Sequence, residues 1–228
     1  MINSFFLFTL YYYLSLLFYC QMEQSRHSTH KLMITNKSGT SQYISLFQAY
    51  SNIGYPVVWE KICLGPENSG KVEWSVNWGL RWETAEVEIS PDVKFNSAGE
   101  IQVVHPMHRE MNSIKVSIEN GDFISRKECR PELAYGQLGI TTTDFSEKYA
   151  KDLQFSICME SKPVYVMKGR PNQTLVINAS PKFYIGITEA KVGAKFDISN
   201  AKSVADIKFS DANEAECVLD EKLNFIFK

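Results

Sequence analysis

The chain has 228 residues, 44% of them hydrophobic and 22% charged, with a formal net charge of −2 from 24 basic and 26 acidic side chains. These are globular values that provide for a buried core and exclude a disordered chain. Balanced charge without a long basic run also excludes the electrostatic footprint of a nucleic-acid binder.

Met1 to Cys20 carries no charged side chain and is dense in Phe, Leu and Tyr. Its length and apolarity fit a signal or membrane anchor. No Lys or Arg precedes the run, and no small-x-small cleavage site follows it. Leu17, Phe18 and Tyr19 are too bulky for a lipobox before Cys20. Arg26 and Lys31 follow the run, a charge bias that would keep the domain of an anchored protein in the cytoplasm. The same composition arises from A/T-rich upstream sequence translated in frame, with Met22 or Met33 as the start. Residues 1–30 are therefore read as a signal-like or anchor-like segment, or as no part of the working protein. Residues 31–228 are read as one domain. The location follows from that choice: secreted or membrane-associated if the run is real, cytoplasmic otherwise.

From Lys31 onward, apolar residues alternate with polar ones over short stretches bounded by turn residues, the signature of half-buried strands. Leu32–Thr35 and Tyr43–Ala49 flank the turn Asn36-Lys37-Ser38-Gly39. In Lys71–Trp78, Val72, Trp74, Val76 and Trp78 share one face, which predicts a single strand. Glu86–Phe95 and Ile101–Val104 flank Asn96-Ser97-Ala98-Gly99. Asn120-Gly121 predicts a tight hairpin between Ile114–Glu119 and Phe123–Ser125. Asp144-Phe145-Ser146-Glu147 has capping-box spacing and predicts two helical turns through Leu153, and residues 130–136 predict another short turn. Phe183, Ile185 and Ile187 alternate, and a further stretch ends at Phe196-Asp197-Ile198. Three strands ending in Ala205–Phe209, Ala215–Leu219 and Leu223–Phe227, joined by short polar turns, predict an antiparallel meander. The sum is an all-β antiparallel sandwich of about a dozen or more strands with one or two short helices.

Five cysteines lie far apart, and no CxxC pair appears, so neither a zinc ribbon nor a thioredoxin-type motif is supported. Cys63, Cys129, Cys158 and Cys217 form either two disulfides or four small buried thiols. Their low density and lack of a staple pattern favour buried thiols. Asn36-Lys37-Ser38, Asn172-Gln173-Thr174 and Asn178-Ala179-Ser180 are sequons that matter only in a eukaryotic secreted chain.

The sequence has no GxSxG elbow, no P-loop, no GxGxxG after a strand and no HExxH. That removes a positive case for an enzyme without excluding one, because triads assemble from distant positions. The densest ligand-like cluster is His105-Pro106-Met107-His108-Arg109-Glu110. His105 and His108 are the candidate metal or acid–base residues, although Pro106 breaks a helix that would align them, and solvated loop histidines are the plainer reading. Trp59 and Trp82 are the candidate sugar-stacking residues, while Trp74 and Trp78 share an apolar face and read as core. No cofactor is expected.

The run Asn36-Lys37-Ser38-Gly39, then Leu46-Phe47-Gln48-Ala49-Tyr50, Val58-Trp59-Glu60-Lys61 and Val72-Glu73-Trp74-Ser75-Val76, resembles the rhizosphere-induced RhiA-type proteins. Pro181–Ile187 and Val192–Ile198 fit the same scheme, and the resemblance spans most of residues 33–228. It implies a small β protein of bacterial life around hosts, and it carries over no catalytic residues. The apolar N-terminal run departs from it. The functional expectation is a non-enzymatic binding or interaction protein whose partner is an unidentified protein or glycan. A membrane is a partner only if residues 1–20 are an anchor. A carbohydrate-binding module using exposed aromatics and a hydrolase with a dispersed site are the alternatives.

Overall fold

The computed structural model describes residues 29–49, 54–84, 99–151, 153–180 and 182–228, which form 17 strands. They make an all-β sandwich of four sheets. The first sheet joins β1 (Thr29–Asn36), β5 (Ser69–Ser75), β16 (Glu214–Leu219) and β17 (Phe225–Phe227) in the order β17-β16-β1-β5. A second has β2 (Gln42–Gln48), β4 (Glu60–Leu64), β14 (Phe183–Ile187) and β15 (Lys202–Asp206), ordered β15-β14-β2-β4. The third has β3 (Gly54–Pro56), β6 (Trp78–Thr84), β7 (Gln102–Val103), β11 (Leu153–Met159) and β12 (Lys162–Lys168), ordered β3-β12-β11-β6-β7. The fourth contains β8 (Ser113–Glu119), β9 (Asp122–Glu128), β10 (Gln137–Thr142) and β13 (Thr174–Asn178), ordered β13-β10-β8-β9.

Pairing is antiparallel except for β1 with β16 and β8 with β10. Every sheet feeds one main core: Leu32 and Ile34 from the first, Leu46 and Ile185 from the second, Leu80 and Phe155 from the third, Ile114 and Leu138 from the fourth. These are the inward positions of the two-residue rhythm, so local pattern and global burial agree. On the far side of the second sheet, Phe47 stacks on Tyr184 and meets Phe196 edge-on, and Val58 completes a small second cluster.

Several local expectations are corrected. Lys71–Trp78 is two strands: β5 ends at Ser75, β6 begins at Trp78, and the break carries the chain from the first sheet to the third. Trp74 and Trp78 still reach the same core, but from different sheets. The C-terminal meander is likewise divided. β16 and β17 pair, whereas β15 pairs with β14, and the other neighbour of β16 is β1. The predicted two-turn helix is only α1 (Glu147–Ala150), whose N-cap residue Ser146 makes no side-chain capping hydrogen bond, and Leu153 already belongs to β11. Phe196-Asp197-Ile198 leads into a 3-10 turn, Ile198–Asn200, after Lys195 bridges to Val57. The expected Glu86–Phe95 strand lies outside the described residues, as do residues 1–28. Among the described residues no helix is long and apolar enough to cross a membrane. Met33 lies inside β1, after the buried His30 and Leu32.

The hairpin expected at Asn120-Gly121 is present, with φ of 54° and 92° that suit the left-handed turn joining β8 to β9. Asn36 is fully buried at the end of β1. Its amide nitrogen donates to the carbonyls of Thr40, Leu64 and Gly65, and its Oδ1 accepts from the Ser38 backbone N–H and hydroxyl. The residue staples the β1–β2 and β4–β5 turns together, and its sequon nitrogen is occupied. Cys63, Cys129, Cys158 and Cys217 are unpaired, but only Cys158 and Cys217 are buried; Cys63 and Cys129 are exposed, which corrects the expectation of four buried thiols.

Candidate functional site

The histidine segment is shaped by backbone hydrogen bonds. After β7, the Val104 N–H donates to the Trp78 carbonyl at 3.1 Å, keeping the chain beside β6. Two successive turns follow, with His108 N–H donating to His105 O and Met111 N–H to His108 O, each at 3.0 Å. His105 N–H donates to Met111 O at 2.7 Å and closes the segment, and Gly136 N–H donates to Pro106 O at 2.9 Å, tying it to the loop before β10. The two imidazoles meet edge to face, with centroids 4.5 Å apart.

Beside this segment opens a cleft of about 390 Å³, bounded by Val76, Trp78, Val103, Met107 and Met111, with His105 among its polar walls. Trp78 is buried at the floor, while Val103 is 64% and Met111 38% exposed on the lip. The volume lies within the range that takes small ligands or a partner's side chain. The Arg109 guanidinium stands 5.0 Å from the ring centroid of Tyr135, which precedes the cleft residue Gly136. The metal reading needs at least three converging ligands. Among the described residues no group of three or more His, Cys, Asp or Glu is so placed, so His105 and His108 make an incomplete set.

The two tryptophans proposed as a sugar platform lie elsewhere, and burial corrects the expectation for Trp59. It is 1% exposed, set edge-on to Trp74 at 5.3 Å and near Phe183, so its face is unavailable for stacking. Its neighbour Trp74 also contacts His30, Phe183 and Phe209 in one aromatic nest. Trp82 is half-buried. It pairs with Phe155 across β6 and β11, which turns the indole toward the main core, and it packs on Phe123 at 5.5 Å. The two indoles do not form one surface.

A second constellation escaped sequence reasoning. On the other face of the third sheet, Arg81 and Glu83 from β6 lie beside Gln154, Ser156 and Cys158 from β11. Glu83 is fully buried. Its Oε1 receives Arg81 Nε at 2.7 Å and Ser156 Oγ at 2.8 Å, and the guanidinium also pairs with it. The buried ammonium of Lys195 donates to Gln154 Oε1 at 2.7 Å. Burial holds the Glu83 carboxyl above its ordinary range against the pull of Arg81, Ser156 and Lys195. It also lowers the Lys195 ammonium, which Glu83 raises, and pushes the Cys158 thiol up to about 12. A thiol so shifted is not a nucleophile near neutral pH. The cluster is a buried polar seam between strands, and its hydroxyl and thiol are sealed from solvent. Its signal was available in the sequence: Arg81-Trp82-Glu83 places two opposite charges on one face of a strand.

The fold is thus that of an all-β sandwich protein with an apolar cleft beside a basic turn. The RhiA family model matches residues 27–227, and the chain belongs to that family. No curated protein and no solved structure is significantly similar to it.

Proposed function

We propose that this RhiA-family chain is a binding protein that receives an apolar group of its partner in the cleft between β7 and the His105–Met111 turns. The observation that carries the reading is the exposure of Val103 and Met111 on the lip of a concavity floored by Trp78. Apolar side chains gathered around a concave site favour a ligand over water. Met107 and Met111 are unbranched and polarizable, so they adapt to varied apolar shapes. Among the described residues the cleft walls are mainly apolar, which favours binding of an apolar group. The burial of Trp59 favours an apolar group over a sugar ring.

Titration with the uncharged amphiphile octyl glucoside, with glucose as its control, tests this. The protein is labelled at the methionine methyls, and Met107→Leu and Met111→Leu assign the signals. We expect octyl glucoside to move both resonances, glucose to move neither, and Val103→Asp to abolish the response. Equal shifts with glucose and with octyl glucoside would replace this reading by the carbohydrate one, and no shift with either would remove it.

A further inference from the structure

We infer that the cleft selects a small amphipathic carboxylate, whose alkyl part enters between Val103, Met107 and Met111 while its anionic head rests on the basic turn formed by His105, His108 and Arg109. This rests on the reading of the cleft as the binding site and adds the chemistry of the ligand.

Three observations carry it. The hydrogen-bonded turns bring the imidazoles of His105 and His108 into ring contact, and His105 is itself a wall of the cleft. Arg109 follows directly in a 3-10 turn, is exposed, and makes no ion pair with any described residue; its guanidinium lies instead by the Tyr135 ring. Most other arginines of the described chain have a carboxylate: Arg81 has Glu83, Arg126 has Glu119 and Arg130 has Glu132. A guanidinium without an acid among the described residues, two positions from both Met107 and Met111 of the cleft, is a ready fork for a carboxylate, and the His108 imidazole adds a donor. Of the nearby acids, Glu160 has its carboxylate engaged by the Ser75 N–H, and Glu110 is exposed in the same turn as Arg109. The apolar part is required as well, because an exposed arginine alone binds anions weakly.

Sodium octanoate, octyl glucoside and sodium acetate separate the contributions, read on the Met107 and Met111 methyls of the full chain. We expect octanoate to bind about tenfold more tightly than octyl glucoside, and acetate to leave the methyls unmoved. A charge-assisted contact supports a difference of that size. Arg109→Gln and His108→Gln, together, should bring octanoate down to the octyl glucoside affinity and leave octyl glucoside unchanged, a control that also shows the fold is intact. Equal affinities for the two amphiphiles in the native protein would overturn the carboxylate inference while leaving the apolar cleft standing. Failure of both to bind would remove the cleft reading and this inference with it.

Discussion

Ser156 and Glu83 meet across β11 and β6, the hydroxyl donating to Oε1 at 2.8 Å with both residues fully buried. Arg81, Lys195 and Cys158 are the charged or titratable groups acting on the same carboxyl or its neighbours. Burial dominates and raises Glu83 above its ordinary value of 4.5, so the fold favours the protonated acid. Stability from this source is complete below about pH 4.5 and is lost as pH rises through the folded-state value. Glu83→Gln carries a neutral amide of the same shape throughout. The urea midpoint of the native protein, taken relative to Glu83→Gln, should therefore fall as pH rises above about 4.5. A constant difference would mean that Arg81 offsets the burial in full.

The cysteines divide by environment. Cys63 and Cys129 are exposed, whereas burial pushes the thiols of Cys158 and Cys217 up to about 12. The thiolate is the reacting form, so a thiol reagent at about pH 8 should modify Cys63 and Cys129 in the folded protein. Peptide mapping should find Cys158 and Cys217 labelled only after denaturation. Rapid native labelling of Cys158 would contradict the sealed seam described above.

The turn between β11 and β12 is made by Glu160 and Ser161, with φ of 49° and 65°. Both are left-handed, a conformation that costs a non-glycine residue and costs glycine little. The Glu160 carboxylate accepts the Ser75 N–H at 2.7 Å and is best retained. Ser161→Gly should stabilise the fold by about 0.5–1 kcal/mol, read as an increased denaturation midpoint. A loss of stability would show that the Ser161 side chain contributes more than its backbone costs.

Trp74 is the centre of the aromatic nest formed with His30, Trp59, Phe183 and Phe209. Trp74→Ala should cost about 3–5 kcal/mol, the range for emptying a large aromatic site in a core. Tyr43, half exposed on β2 with Lys61 near its ring, gives the contrast. Tyr43→Ala should stay within about 1 kcal/mol. Thermal or urea denaturation of both variants compares the two sites directly, and equal losses would place Trp74 outside the core.

Much of the β architecture was visible in the order of side chains. Ala215, Cys217 and Leu219 alternate with exposed or half-buried neighbours and all point into the core, and Asn120-Gly121 marks its own hairpin. What the rhythm did not show is which strand lies beside which. A period of two is the same on either side of Val76-Asn77, so Lys71–Trp78 looked continuous although the chain changes sheet there. Glu160-Ser161 carries none of the usual glycine signal, so that hairpin was hidden. Trp59 is adjacent to the Glu60-Lys61 pair, and nothing local distinguishes an indole in the core from one on the surface. The cleft was legible only in part: His105 and His108 stood out by chemical type, but Val76 and Val103 join them through tertiary packing.

The parallel pairing of β1 with β16 has a temporal consequence. Thr35 and Val218 are register partners, so β1 lacks one neighbour until almost two hundred further residues have been made. Local hairpins such as β8–β9 can close at once, whereas β1 must remain half-zipped with an apolar face and an open edge. Completion of the first sheet thus waits for β16 to be made, and that interval is when a nascent chain has most to gain from a chaperone shielding Leu32 and Ile34.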